Sequence, residues 1–284
     1  MKNVVSKEWL IEHLNENELI ICDCRFDLSD PAKGRNEFEA GHITGAIYVD
    51  LEQDLSGKKH AHGGRHPLPD MDEFIKKLGE WGIDETKTVV MYDDNNGSNA
   101  ARFWWMLKYV GHEKAYVLQG GFTEWEKSGF PISKERTRNE KTVFTAKINH
   151  DMIASMEDVK RLMDKKSNRR VIVDSRDEKR YRGEVEPIDK LAGHIPAAVN
   201  VPWVSNFEKE NHWKSSEGLS RLHSSLKDKE EVIVYCGSGV TACSNVLGMD
   251  EAGIQAKLYV GSWSDWISYP ENKIEKGKND LLMI

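Results

Sequence analysis

Thiols are scarce in this chain: its four cysteines are Cys22, Cys24, Cys236 and Cys243. Their C-x-C and C-x6-C spacings do not form the C-x2-4-C knuckles of a structural zinc site. In a reducing compartment an even count implies no disulfide. Long apolar runs are absent as well. None approaches the roughly 20 residues that span a bilayer, and Met1–Ser6 holds no apolar h-region of a secretory signal. No membrane association is expected, and a cytoplasmic location is. A surplus of positive charge is also missing. The formal net charge is −7, which leaves no basic footprint for nucleic acid. The short basic pairs Lys165–Lys166 and Arg169–Arg170 read as solvated helix ends or loops. No motif implies a metal ion or an organic cofactor.

What the chain does have is an internal repeat. Leu19-Ile20-Ile21-Cys22-Asp23-Cys24-Arg25 is followed by Gly41-His42-Ile43, and Val171-Ile172-Val173-Asp174-Ser175-Arg176 by Gly193-His194-Ile195. Asp23 and Asp174 lie 151 positions apart, and His42 and His194 lie 152 apart. Downstream, Thr88–Asp93 matches Glu231–Cys236, and Gly120–Trp125 matches Gly261–Trp266. A length of 284 residues suits two domains. Solenoid repeats run about 20–50 residues, so matching blocks at this longer period suggest two copies of one domain.

Each copy alternates apolar β-branched runs with helical patterns, which argues for α/β domains with a parallel sheet flanked by helices. Ser155 is a plausible N-cap for a helix over Met156–Met163, with Asp158 three residues on. The expected division is an N-terminal copy at residues 1–135, a linker at 136–150 in the polar stretch that starts near Pro131, and a C-terminal copy at 151–284. His42 and His194 read as structural, and Trp104, Trp105, Trp125, Trp263 and Trp266 as core.

Cys236 carries the chemistry. It directly follows an apolar strand and opens Gly237-Ser238-Gly239-Val240-Thr241-Ala242, which leads into a helix. In open α/β sheets that is where ligands bind. The glycines let the backbone curl so that N–H groups point inward. Those donors and the helix dipole suit an anion, such as a thiolate or a persulfide. A cysteine phosphatase would want an arginine six residues after the cysteine to grip phosphate. Ala242 stands there instead.

Together, the Cys236–Ala242 loop, Asp174-Ser175-Arg176 with Gly193-His194-Ile195-Pro196, and Gly261-Ser262-Trp263-Ser264-Asp265-Trp266 resemble the two-domain rhodanese and 3-mercaptopyruvate sulfurtransferase family. The likeness covers nearly the whole chain and implies two tandem rhodanese-like domains. It also implies an inactive N-terminal copy, and Asp93 stands there where Cys236 stands in the second. The implied reaction is ping-pong: Cys236 takes sulfur from a small anionic donor as a persulfide, then passes it to a thiol, cyanide or a thioredoxin-like acceptor.

The resemblance also implies roles for single residues. Gly237, Gly239, Val240 and Thr241 line the donor site, and Ser238 relays a proton. His66, in Gly63-Gly64-Arg65-His66-Pro67-Leu68-Pro69, partners Ser238, with Asp50, Glu52 or Asp54 to orient it. Arg180 grips the donor's anionic group. Mercaptopyruvate-type members carry a second arginine shortly before the Gly-His-Ile block. Here Glu186–Ala192 has none, and Lys190 is the cation available. Neutral Gly237 and Ser238 resemble the mercaptopyruvate type, since thiosulfate-type members carry basic residues after the cysteine. Three readings follow: a 3-mercaptopyruvate sulfurtransferase, a thiosulfate sulfurtransferase, and a sulfur-relay or redox-sensing protein with slow turnover.

Overall fold

The computed structural model describes residues 1–164, 169–209 and 211–277, the side chain of Asp164 excepted. The Lys165–Lys166 pair lies outside the described residues, while Arg169 is exposed and pairs with Glu230 at 2.7 Å. The chain forms two compact units. One takes Met1–Gly57, Leu68–Asn149 and Phe207–Trp213; the other takes Lys58–Pro67, His150–Asn206 and the chain from Lys214 onward. Each unit therefore includes a short segment from the other copy's stretch of sequence.

The first unit is built on five parallel strands: β1 (Val4–Val5), β2 (Leu19–Asp23), β3 (Ala46–Tyr48), β4 (Thr88–Tyr92) and β5 (Ala115–Leu118). Their order across the sheet is β1-β5-β4-β2-β3. The second unit repeats it with β6 (Ile153–Ala154), β7 (Arg170–Asp174), β8 (Ala198–Asn200), β9 (Glu231–Tyr235) and β10 (Lys257–Tyr259), in the order β6-β10-β9-β7-β8. The central strands are the continuous apolar runs of the sequence. All but their first residues are buried, because helices cover both faces of a parallel sheet. The five tryptophans read as core are buried.

The helix Met156–Asp164 starts as its sequence suggests. The Asp158 N–H donates to Ser155 Oγ at 3.1 Å, and Asp158 Oδ2 accepts the Ser155 N–H at 2.9 Å. This reciprocal cap satisfies two groups that the helix cannot pair internally. Val159 and Leu162 then bury against Ile172 and Ile233.

The repeated Asp-x-Arg and Gly-His-Ile blocks meet at the ends of the central strands. Arg176 Nη2 donates to Asp174 Oδ2 and to the Gly193 carbonyl, both at 2.6 Å, and the Ile195 N–H donates to Tyr235 Oη at 3.1 Å. In the first unit Arg25 reaches Asp23 at 2.6 Å and the Gly41 carbonyl at 2.7 Å, and the Ile43 N–H donates to Tyr92 Oη at 3.2 Å. His42 and His194 each set Nδ1 2.7 Å from a main-chain carbonyl oxygen and stack on Phe38 and Tyr181.

The polar stretch after Pro131 is packed rather than loose. Its Thr142 N–H donates to the Gly79 carbonyl, and its Lys147 and Asn149 N–H groups donate to the carbonyls of Val110 and Tyr109. Those acceptors lie at or next to helix C-termini, where carbonyls have no intrahelical partner.

Candidate active site

Cys236 follows β9 directly and is 1% exposed. The Gly239 N–H donates to its Sγ at 3.2 Å. Gly239 has φ +76, and a Cβ there would run into the Val260 carbonyl, so only glycine fits. The Cys236 N–H donates to Ser262 Oγ at 3.2 Å, and Ser262 in turn donates to the Tyr259 carbonyl at 2.9 Å. Main-chain bonds from Trp263 to Cys236 and from Ser264 to Gly237, both 3.0 Å, clamp the loop to the helix Ser262–Trp266. Gly237, Ser238 and Val240 are buried, and Thr241 immediately precedes the helix Ala242–Glu251. The Cys243 thiol donates to the Gly239 carbonyl at 3.3 Å.

The segment Lys58–Pro67, which belongs to this second unit, lies along the same helix. The Gly63 N–H donates to Asp265 Oδ1 at 2.7 Å, and the Arg65 N–H donates to Ser264 Oγ at 3.1 Å. His62 stacks on Tyr269 with centroids 4.0 Å apart. So anchored, the segment places His66 Nδ1 2.8 Å from Ser238 Oγ, with both side chains buried. Of the carboxylates considered for His66, Asp50 accepts the N–H groups of Glu52 and Gln53, and Asp54 pairs with Lys77 at 2.6 Å, all within the first unit.

Arg180 sits on the short helix Glu178–Tyr181. Its Nη2 lies 2.7 Å from Glu186 and 3.1 Å from Asp189. Asp189 also pairs with Arg65, and Glu186 with Arg176 at 3.3 Å. Burial pushes the Asp189 carboxyl above the usual carboxylate range, although Arg65 and Arg180 pull the other way. Burial would raise Glu186 too, but hydrogen bonds from Arg180 and from main-chain N–H groups hold it below that range. Lys190 is exposed.

The structure thus brings together Cys236, Ser238, His66 and the loop glycines, with Arg180 beside them. Arg65, Glu186, Asp189 and Ser262 carry no role in the sequence reading. The signal for Arg65 was available: it stands next to His66 in a loop already selected, in a chain short of one arginine elsewhere. Nothing local marks Asp189, whose partners are 9 and 124 positions away.

The first copy has a carboxylate where the second has Cys236. Asp93 occupies the position after β4 and accepts N–H groups from Asn95 at 2.7 Å and from Gly97, Asn99 and Ala100 at 2.8 Å. Its carboxylate takes up this group of main-chain donors.

A model of the rhodanese-like domain matches residues 6–128 and 155–269. A Pseudomonas aeruginosa protein named a probable 3-mercaptopyruvate sulfurtransferase is 35% identical over 280 residues, covering 96% of this chain and 98% of that protein. A Mycobacterium tuberculosis protein, provisionally named the thiosulfate sulfurtransferase SseB, is 34% identical over 259 residues, 90% of each. The solved structure of SseA from Escherichia coli, described as a 3-mercaptopyruvate enzyme of the rhodanese fold, superposes with a TM-score of 0.80. It is 31% identical and covers 93% of this chain and 100% of that one.

Proposed function

The chain belongs to the rhodanese family, and on that premise we propose that it moves sulfane sulfur from 3-mercaptopyruvate to a thiol or cyanide through a persulfide on Cys236. The observation that carries the choice of donor is the contact of 2.8 Å between His66 and Ser238, two residues after the nucleophile. When the Cys236 thiolate attacks the donor sulfur, an S–S bond forms and the donor's C–S bond breaks. The electron pair leaves on carbon as the enolate of pyruvate, which needs a proton. The Ser238 hydroxyl supplies it, with His66 as the buried partner that replaces it. Thiosulfate would release sulfite, which needs no such relay. An acceptor thiolate or cyanide then attacks the outer sulfur, and the Cys236 thiolate leaves. A thioredoxin-like protein thiol is an acceptor of the same chemistry.

The likeness to SseB keeps thiosulfate as a second donor. Steady-state kinetics with both donors and cyanide test the order, and kcat/KM should be at least tenfold higher with 3-mercaptopyruvate. A higher value with thiosulfate would overturn it. Cys236→Ser should abolish transfer from either donor without changing the circular dichroism; residual turnover would rule out the persulfide.

A further inference from the structure

The donor carries a carboxylate, and the stretch Glu186–Ala192 offers no second arginine to hold it. We propose that Arg65 and Arg180 together form the carboxylate clamp of the donor site, and that Asp189 occupies the carboxylate position until the donor displaces it. The proposal rests on 3-mercaptopyruvate being the donor.

The geometry centres on Gly237, the residue after the nucleophile. A Cβ built on it would lie 2.9 Å from Arg65 Nη2, 3.5 Å from Arg180 Nη2 and 3.7 Å from Asp189 Oδ2. Two guanidinium groups and one carboxylate therefore converge on a point one bond from the Cys236–Ala242 loop. In 3-mercaptopyruvate, three covalent bonds separate sulfur from the carboxylate carbon, a reach of about 4 Å. A donor sulfur at Cys236 puts its carboxylate in this neighbourhood.

Asp189 has the chemistry of the missing ligand. It takes one guanidinium on each oxygen, Arg65 on Oδ1 and Arg180 on Oδ2, as a bound carboxylate would. It is poorly suited to stay charged there, because burial disfavours its anion. Arg180 can change partner without being left bare. Arg180 keeps Glu186 through two contacts of 2.7 and 3.2 Å. Arg65 has a further donor, Nε, which is buried and without a hydrogen-bond partner among the described residues. Asp189 is carried by the turn Glu186–Asp189, where its own N–H donates to Glu186 Oε1 at 3.1 Å. Its carboxylate can swing aside while that turn stays anchored. Arg65 thereby takes the place of the absent second arginine, from the loop that also delivers His66.

The sign of one substitution separates this from a structural ion pair. In Asp189→Asn the competing charge is gone and the shape is kept. KM for 3-mercaptopyruvate should fall several-fold with kcat little changed. If Asp189 only positions the arginines, KM rises instead, and the proposal fails. Arg65→Gln should raise KM by tenfold or more, Arg65→Lys by less; an unchanged KM in Arg65→Gln also overturns the clamp. A second readout does not depend on turnover. Pyruvate, a carboxylate without sulfur, should bind Cys236→Ser protein more tightly with Asp189→Asn and more weakly with Arg65→Gln in titration calorimetry. If wild type does not use 3-mercaptopyruvate, the functional reading has failed, and calorimetry alone decides the clamp: pyruvate binding unmoved by both substitutions refutes it.

Discussion

In the proposed transfer, Ser238 and His66 divide one task between two buried side chains. A serine hydroxyl alone is a weak acid; a ring nitrogen 2.8 Å away can take and return its proton. The leaving enolate is where that proton goes, so the pair matters only for a carbon leaving group. Ser238→Ala should lower kcat with 3-mercaptopyruvate by about 10²-fold or more and leave thiosulfate turnover within a few-fold of wild type. Steady-state rates with both donors measure this, and equal losses would show that the serine shapes the loop instead of relaying protons.

The element that holds the nucleophile is the turn between β9 and the helix Ala242–Glu251. Its form depends on Gly239, whose N–H faces Sγ and where a Cβ would run into the Val260 carbonyl. A left-handed conformation costs a non-glycine residue about 1–2 kcal/mol, and here a clash adds to it. Gly253 gives the control, with φ +76 and nothing within 4 Å of a Cβ. Gly253→Ala should cost about 1 kcal/mol in urea unfolding and leave kcat alone. Gly239→Ala should cost more and cut kcat at least tenfold. Similar costs with kcat intact in both would mean that the Val260 approach is relaxed easily and that the Gly239 N–H is idle.

Across the whole molecule, buried histidines resist charge, and one in each unit does so strongly. Burial, aided by Lys108, lowers His112 in the first unit to about 4, and burial lowers His223 in the second to about 4. An unfolded histidine titrates near 6.5. The unfolded chain therefore takes up protons that the folded one refuses. The stabilisation is complete above about pH 6.5 and is lost as the pH falls toward 4, at roughly 2 kcal/mol per histidine between pH 7 and 5. His112 is buried with its ring tilted 55° to that of Phe144, centroids 5.9 Å apart, so the site is partly aromatic. His112→Phe should remove about 2 kcal/mol of this acid sensitivity. Urea midpoints at pH 7 and 5 test it, and an unchanged pH dependence would mean that His112 stays neutral on unfolding or is already charged in the fold.

Much was legible along the chain. Continuous β-branched runs imply strands covered on both faces, whatever the rest of the molecule does. The order of duplicated blocks implied two like domains, and both sheets carry the same strand order. The thiol loop was readable because strand, glycines and helix are contiguous, and contiguous residues constrain each other before any tertiary contact exists. Arg180 was reached through family likeness; Arg65, whose Nη2 also lies beside Gly237, was not named, and Lys190, which was, is exposed. The roles of Arg65, Asp189 and Ser262, and the delivery of His66 by a segment from the other copy, were left to the folded chain. Each depends on residues 26 to 172 positions apart meeting within hydrogen-bond reach. Local propensity acts over a few residues, so such meetings are set by the path of the packed chain.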